Sequence, residues 1–363
     1  NMNANEVIAN RAAELLGEPR GTKAVHPNDH VNLGQSSNDV MPSAVQLAAV
    51  TLGEQRLLPA LAATVARFHE LADTHWDLIR DGRTHLMQAM PIRFGQQFRG
   101  AALHLAAARR RLVAAIEECR ALPLGGTAVG TGVNAPPGFA AAICAAIRAD
   151  TGLAVHETDE HLAAQGCLDA LTVLAATMGT AATTLYKLVN DLRWQASSAF
   201  MEIELPQLQP GSSIMPGKIN PVACEALLMV CAQVQGNVGV VAFANSQGQF
   251  ELNTMIPVVA RNVLESLDLL TGANITLREH CLDGLRIGAA AGQSVAGNAM
   301  LATALAPHIG YDAAAKIARR AALEHRSVLE VAREATDLDP VRLRELLDPA
   351  QLCGELGREG PRV

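Results

Sequence analysis

The chain has 363 residues, 49% of them apolar but only 3% aromatic, with a formal net charge of -7 and a pI near 5.9. That length accommodates two or three domains and a core able to bury a long central element. The acidic balance argues against nucleic acid as a partner, since the only compact basic run, Arg109-Arg110-Arg111, has no aromatic platform beside it.

The first residues, Asn1-Met2-Asn3, read as neither a signal peptide nor a translation start, so a chain shortened at its N-terminus is expected. A polar cluster follows, His26-Pro27-Asn28-Asp29-His30-Val31-Asn32, leading to Gln35-Ser36-Ser37-Asn38-Asp39 just ahead of a helix. N-capping by Ser37 or Asp39 accounts for one of these residues but not for the group, and both readings stay open. From about Val45 the pattern is one of long helices separated by loops rich in Gly, Pro and Ser. Ala, Leu and Val carry the apolar content, which favours helices packed closely on one another over strands.

The stretch Gly82-Arg83-Thr84-His85-Leu86-Met87-Gln88-Ala89 reads as a polar loop before the next helix. Of the 11 histidines, His85 is the best placed for general acid or base work, although a structural histidine fits the same position. Phe94, Phe98, Leu105, Leu112 and Ile116 then recur at spacings of 4, 7, 7 and 4, one stripe of a helix running to the break at Pro123-Leu124-Gly125-Gly126. Gly125 to Gly132 matches neither G-x-G-x-x-G nor a P-loop and reads as a tight interhelix loop. Leu171, Leu174, Met178, Leu185, Leu188 and Leu192 form a second stripe, ending near Trp194.

The third polar loop is Gly211-Ser212-Ser213-Ile214-Met215-Pro216-Gly217-Lys218-Ile219-Asn220-Pro221, with Glu225 one turn into the following helix. Two glycines and two prolines bracket hydroxyls, a cation and an amide, and the loop ends where helical N–H groups can face an anion such as a carboxylate. Stripes at Leu227, Val230, Val234, Val241 and at Val259, Val263, Leu267, Leu270 predict two more helices. Beyond about Gly288 the elements shorten. The expected division is therefore 1–34 as the remnant of an N-terminal domain, 35–287 as a central helical bundle and 288–363 as a small C-terminal helical domain. The seven cysteines are scattered without a C-x-x-C pair, as in a reduced cytoplasmic protein, and no stretch is read as long enough for a membrane span.

Together the three polar loops resemble the separated signature regions of the fumarase and aspartase superfamily. Gly211 to Asn220 is the most specific, and Asn1 to Arg11 and Phe250-Glu251-Leu252-Asn253 also match. The resemblance implies an all-α fold with a long central helix bundle, which forms a multi-helix core on tetramerisation, and a small C-terminal helical domain. It further implies a homotetramer with active sites shared among three subunits, a small dicarboxylate substrate, and neither metal nor organic cofactor. Ser212 becomes the base that removes a proton from C3 of malate, Lys218 and Asn220 the stabilisers of the resulting carbanion, and His85 with Glu225 the pair serving the leaving hydroxyl. Thr84, Ser36, Ser37, Asn38 and Ser213 match substrate contacts, and His26, Asn28 and Asp29 a secondary dicarboxylate site.

Within the superfamily, His85, Ser37, Gly126 and Gly217 point to class II fumarase, whereas His30 and Glu160-His161-Leu162-Ala163 lean towards aspartase. Gln88 stands where both groups usually have Asp, and the Ser-Gly-Pro-Arg-type segment is shortened to Ser197-Ser198-Ala199-Phe200-Met201, without the arginine. The family also carries an upstream Gly-Ser-Gly-Thr substrate loop. Without that segment a non-catalytic helical scaffold is the reading from another class.

Overall fold

The computed structural model describes residues 1–354. In chain order the elements are α1 (Met2–Leu15), α2 (Ser37–Leu52), α3 (Leu58–Thr74), β1 (Ile79–Thr84), β2 (Met87–Arg93), α4 (Phe94–Glu118), β3 (Ala121–Leu122), α5 (Phe139–Thr151), β4 (His156–Glu157) and α6 (His161–Gly166). They continue with α7 (Asp169–Gln195), β5 (Ile203–Glu204), α8 (Val222–Asn245), α9 (Ile256–Leu277), β6 (Arg286–Ile287), α10 (Ala306–Ile309), α11 (Tyr311–Glu324), α12 (Val328–Ala335), α13 (Pro340–Leu346) and α14 (Pro349–Leu352). The fold is all-α, as expected, and its strands form only two-stranded pairs among the described residues. Helices α4, α7, α8 and α9 have 25, 27, 24 and 22 residues, each about 33 to 40 Å long at 1.5 Å per residue.

The apolar stripes read from the sequence are the buried faces of these helices. Phe94, Phe98, Leu112 and Ile116 on α4, Leu174 and Met178 on α7, Val234 and Val241 on α8, and Val259, Val263 and Leu267 on α9 are all buried. The chain divides into two compact units. One comprises Asn1–Leu61, Ala107–Leu185 and Met229–Asn274; the other comprises Ala62–Ala106, Tyr186–Leu228 and the chain from Ile275 onward.

In the first unit, β3 and β4 pair in parallel, and Gly53 takes the Ile116 side chain where a Cβ would lie 2.6 Å from Ile116 Cδ1. In the second, Trp76 crosses the start of α4 at Gly95, where any Cβ would come within 2.6 Å of the Trp76 backbone. Strands β1 and β2 form an antiparallel hairpin with a register shift between Asp81 and Arg83. The sequence read this stretch as a loop. The last helices carry their own signals: Ser327 and Glu330 make a capping box on α12, and Asp339-Pro340 and Asp348-Pro349 start α13 and α14. Leu301, Leu305, Ile317, Val331 and Leu343 enclose a core there.

Helix α8 corrects one expectation. It is long and apolar enough to cross a membrane by length and composition, with a stretch of mean hydropathy 1.7 of which only 28% is buried. Gln233, Gln235, Gly236 and Asn237 interrupt its apolar run, but no charge lies between Glu225 and its end. Its open side carries Met229, Val240 and Phe243, the first and last 67% and 65% exposed.

Candidate active site

The candidate residues fall into four local groups, each organised by its own backbone. In the first unit Ser36 caps α2: its Oγ accepts the Asn38 N–H at 3.2 Å, and Asp39 Oδ1 accepts the Ser36 N–H at 2.9 Å. The cap is thus Ser36 rather than Ser37 or Asp39, because Ser36 is the last residue with extended backbone and Asp39 stands three positions on, where a carboxylate reaches back. Asp39 is fully buried, and its second oxygen accepts the N–H groups of Gly125 and Thr127, both at 2.9 Å. Asn38 adds a bond from Nδ2 to the Ala128 carbonyl at 2.8 Å. The Ser36–Asn38 loop is therefore joined to the Gly125–Ala128 turn. Asn1 Nδ2 reaches Ser37 Oγ at 3.3 Å.

Glycine is required in that turn for two reasons. Gly125 has φ +100°, and a Cβ on Gly126 would lie 2.3 Å from Gln165 Oε1 and 2.9 Å from His161 Cβ. Gln165 is buried and donates to the Thr127 carbonyl at 2.8 Å, so it cannot swing clear without losing that bond. His161 is held between the Pro123 carbonyl at Nδ1 (2.8 Å) and Glu157 at Nε2 (3.1 Å).

His26 caps the π-helical turn Pro27–Val31, which carries Asn28 and Asp29. His26 Nδ1 accepts the N–H groups of Asn28 and Asp29 at 3.3 and 3.1 Å. The same nitrogen is 3.2 Å from Asp29 Oδ2.

In the second unit Thr84 and His85 occupy the exposed tip of the β1–β2 hairpin. His85 and Leu86 have φ +54° and +61°, two successive left-handed residues and neither of them glycine. This is the geometry of a tight two-residue hairpin turn, usually made with Asn and Gly. Behind the tip, Asp81 is fully buried and accepts from Gln88 Nε2 at 2.8 Å, Asn298 Nδ2 at 2.7 Å and the Ser294 hydroxyl. The carboxylate that Gln88 lacks is thus supplied from the opposite strand. Arg83, His85 and His104 line a 590 Å³ cleft.

The loop between β5 and α8 closes on itself. Gly211 N–H donates to the Lys218 carbonyl at 2.9 Å, Asn220 Nδ2 donates to the Gly211 carbonyl at 2.7 Å, and a Cβ on Gly211 would sit 2.3 Å from the Lys218 oxygen. Ser212 Oγ accepts two backbone N–H groups, from Ile214 at 3.2 Å and Met215 at 3.0 Å. Donors so placed favour an ionised hydroxyl over a neutral one. Lys218 and Ser213 are exposed, Glu225 is half-buried in the first turn of α8, and His85 and Glu225 share no hydrogen bond or ion pair among the described residues.

Sequence reasoning gave no role to Arg83 and Gln165, and saw Asp39 only as a cap. The signal for Asp39 was present in Ser36-x-x-Asp39; nothing local signals Gln165.

Residues 1–236 match the family profile described as Lyase, and residues 301–354 match the profile described as Fumarase C C-terminus. The chain belongs to the fumarase and aspartase superfamily. The class II fumarate hydratase of Thermosynechococcus vestitus is 45% identical over 339 residues, covering 92% of this chain and 73% of that protein. The class II fumarate hydratase 1 of Pseudomonas aeruginosa is 45% identical over 368 residues, covering 99% and 78%. Among solved structures, the class II fumarase of Schistosoma mansoni superposes with a TM-score of 0.94 at 35% identity, covering 98% of this chain and 78% of that one.

Proposed function

We propose that this protein is a class II fumarate hydratase, interconverting fumarate and L-malate. The observation that carries the reading is the Ser212 loop of this superfamily member, whose two N–H donors at Oγ favour the ionised form that a serine base requires. Ser212 takes the C3 proton of malate. The carbanion delocalises into the adjacent carboxylate as an aci-carboxylate, and Lys218 and Asn220 offset its charge as fixed electrostatic partners. His85, assisted by Glu225, protonates the departing hydroxyl. Thr84, Ser36, Ser37, Asn38 and Ser213 hold the two carboxylates, and His26, Asn28 and Asp29 form a second dicarboxylate site. Hydration of this kind needs no metal or organic cofactor.

The absence of a hydrogen bond or ion pair between His85 and Glu225 among the described residues supports sites completed by other subunits of a homotetramer. So does the open apolar side of α8, which a membrane-free assembly covers with further copies of the same helix. The core enclosed by Leu301 to Leu347 supports a small C-terminal domain, within the expected division at 34 and 287. We place the enzyme in the cytoplasm and in the tricarboxylic acid cycle.

Water rather than ammonia as leaving group is favoured by Gly126, the position where aspartases usually have Ala. A methyl there meets Gln165 and His161. The test offers L-malate and L-aspartate separately and follows the ultraviolet absorbance of fumarate. Fumarate from malate alone, lost in Ser212→Ala and cut to a residual rate in His85→Ala, establishes the proposal. Fumarate from aspartate alone refutes it, and fumarate from neither points to the scaffold reading.

A further inference from the structure

The shortened segment Ser197–Met201 plays no part in the chemistry above. In the structure it is a turn that closes α7: the N–H groups of Phe200 and Met201 donate to the Ser197 carbonyl at 3.1 and 2.8 Å, and Glu202 N–H to the Gln195 carbonyl at 2.9 Å. This turn delivers Phe200 and Glu202 to the strand that ends at Thr84, just before His85.

Arg83, two residues before His85, is gripped from both sides. Its guanidinium carbon lies 4.4 Å from the centre of the Phe200 ring, and its Nη1 donates to Glu202 Oε1 at 2.6 Å. The other Glu202 oxygen accepts from Arg80 Nε at 3.1 Å and Gln195 Nε2 at 3.3 Å. Glu202 is only 3% exposed, so one buried carboxylate ties two arginines of β1 on either side of its register shift. Trp194 sets the Phe200 ring edge-on at 6.1 Å, and Arg83, His85 and Phe200 line the same cleft.

His85 and Leu86 hold left-handed backbone that residues with a Cβ keep only when their surroundings fix it. We propose that Phe200 and Glu202 are positioning residues for His85, acting through Arg83 to hold the turn in that conformation. A planar guanidinium suits this role, because its face stacks on the Phe200 ring while its edge donates to Glu202, which an ammonium cannot do. The proposal rests on the assignment of His85 as the proton-transfer residue.

The test uses Phe200→Leu, Arg83→Lys and Glu202→Gln in the full chain, with malate as substrate. Displacing a reacting group by about 1 Å costs about 10²-fold. Each variant is therefore expected to lower kcat between about 10-fold and 10²-fold and to raise KM by less, since of the groups assigned to the carboxylates only Thr84 lies on this hairpin. Amide hydrogen exchange across residues 79–93 is expected to accelerate in each. Because the effect runs through His85, Phe200→Leu should lower kcat no further in a His85→Ala background. Should Glu202→Gln fail to fold, the other two variants decide the matter. A folded Phe200→Leu enzyme with unchanged kcat and exchange overturns the proposal, as does an undiminished loss in the His85→Ala background. If the unmodified protein does not turn malate over, the assigned reaction fails by itself, and the exchange comparison still tests the brace.

Discussion

Replacing Asp39 separates two roles that one carboxylate performs. If Asp39 only completes the cap on α2, its truncation to Ala costs about 1 kcal/mol, the usual price of a lost N-cap partner. The structure gives it more to do. Its second oxygen satisfies the buried N–H groups of Gly125 and Thr127, each at 2.9 Å, and truncation leaves both without an acceptor. At about 2 kcal/mol for each orphaned buried donor, the total rises to about 5 kcal/mol. Asp39→Asn falls between, at about 2 to 3 kcal/mol, because the amide presents one acceptor where three donors converge. Urea unfolding followed by far-ultraviolet circular dichroism, at one fixed protein concentration, measures both variants. The malate assay should show KM raised, since Ser36, Ser37 and Asn38 are then tied to the Gly125–Ala128 turn only by the bond from Asn38 to the Ala128 carbonyl. A cost near 1 kcal/mol for Asp39→Ala, or an Asn variant as stable as the parent, refutes the clip and leaves only the cap.

Two further predictions concern other parts of the molecule. Phe243→Glu, alone or with Met229→Glu, puts a carboxylate on the open side of α8; light scattering after gel filtration should find smaller species, and malate turnover should fall with them, while an unchanged mass removes α8 from the subunit contact. Glu334 is paired by Arg326 and Arg320, which hold its carboxyl down to about 2 from the ordinary 4.5. A carboxyl whose folded pKa is depressed lends stability that is complete above the ordinary value and is lost as pH falls towards the folded one. Thermal midpoints of the parent should therefore drop more steeply than those of Glu334→Gln between about pH 4.5 and 2, and parallel curves would show that this exposed network contributes nothing.

How much of this was legible in the sequence depends on the range over which each feature acts. The stripes on α4, α7, α8 and α9 were readable because burial repeats with the helix itself, and the buried apolar positions named on those four helices fall on them. The β1–β2 hairpin was not. Its turn uses His85 and Leu86 where the local code expects Asn and Gly, and a strained turn is held by distant groups rather than by its own residues. Glu202 stands 119 residues from the arginine it grips, and Asp39 stands 86 and 88 residues from the N–H groups it satisfies, so no window of sequence contains either interaction.

The same distinction applies to the candidate site. Each motif was legible because each is internally closed: Gly211 bonded to Lys218 and Asn220, Ser36 to Asn38 and Asp39, and His26 to Asn28 and Asp29. A motif fixes its own shape and the groups it presents. Where it must meet another motif is not fixed by the motif itself, and under the proposed homotetramer the open apolar side of α8 is where further copies pack. The residues that most reward mutation are therefore not only Ser212 and His85 but also Asp39, Phe200 and Glu202, which convert locally legible loops into fixed geometry.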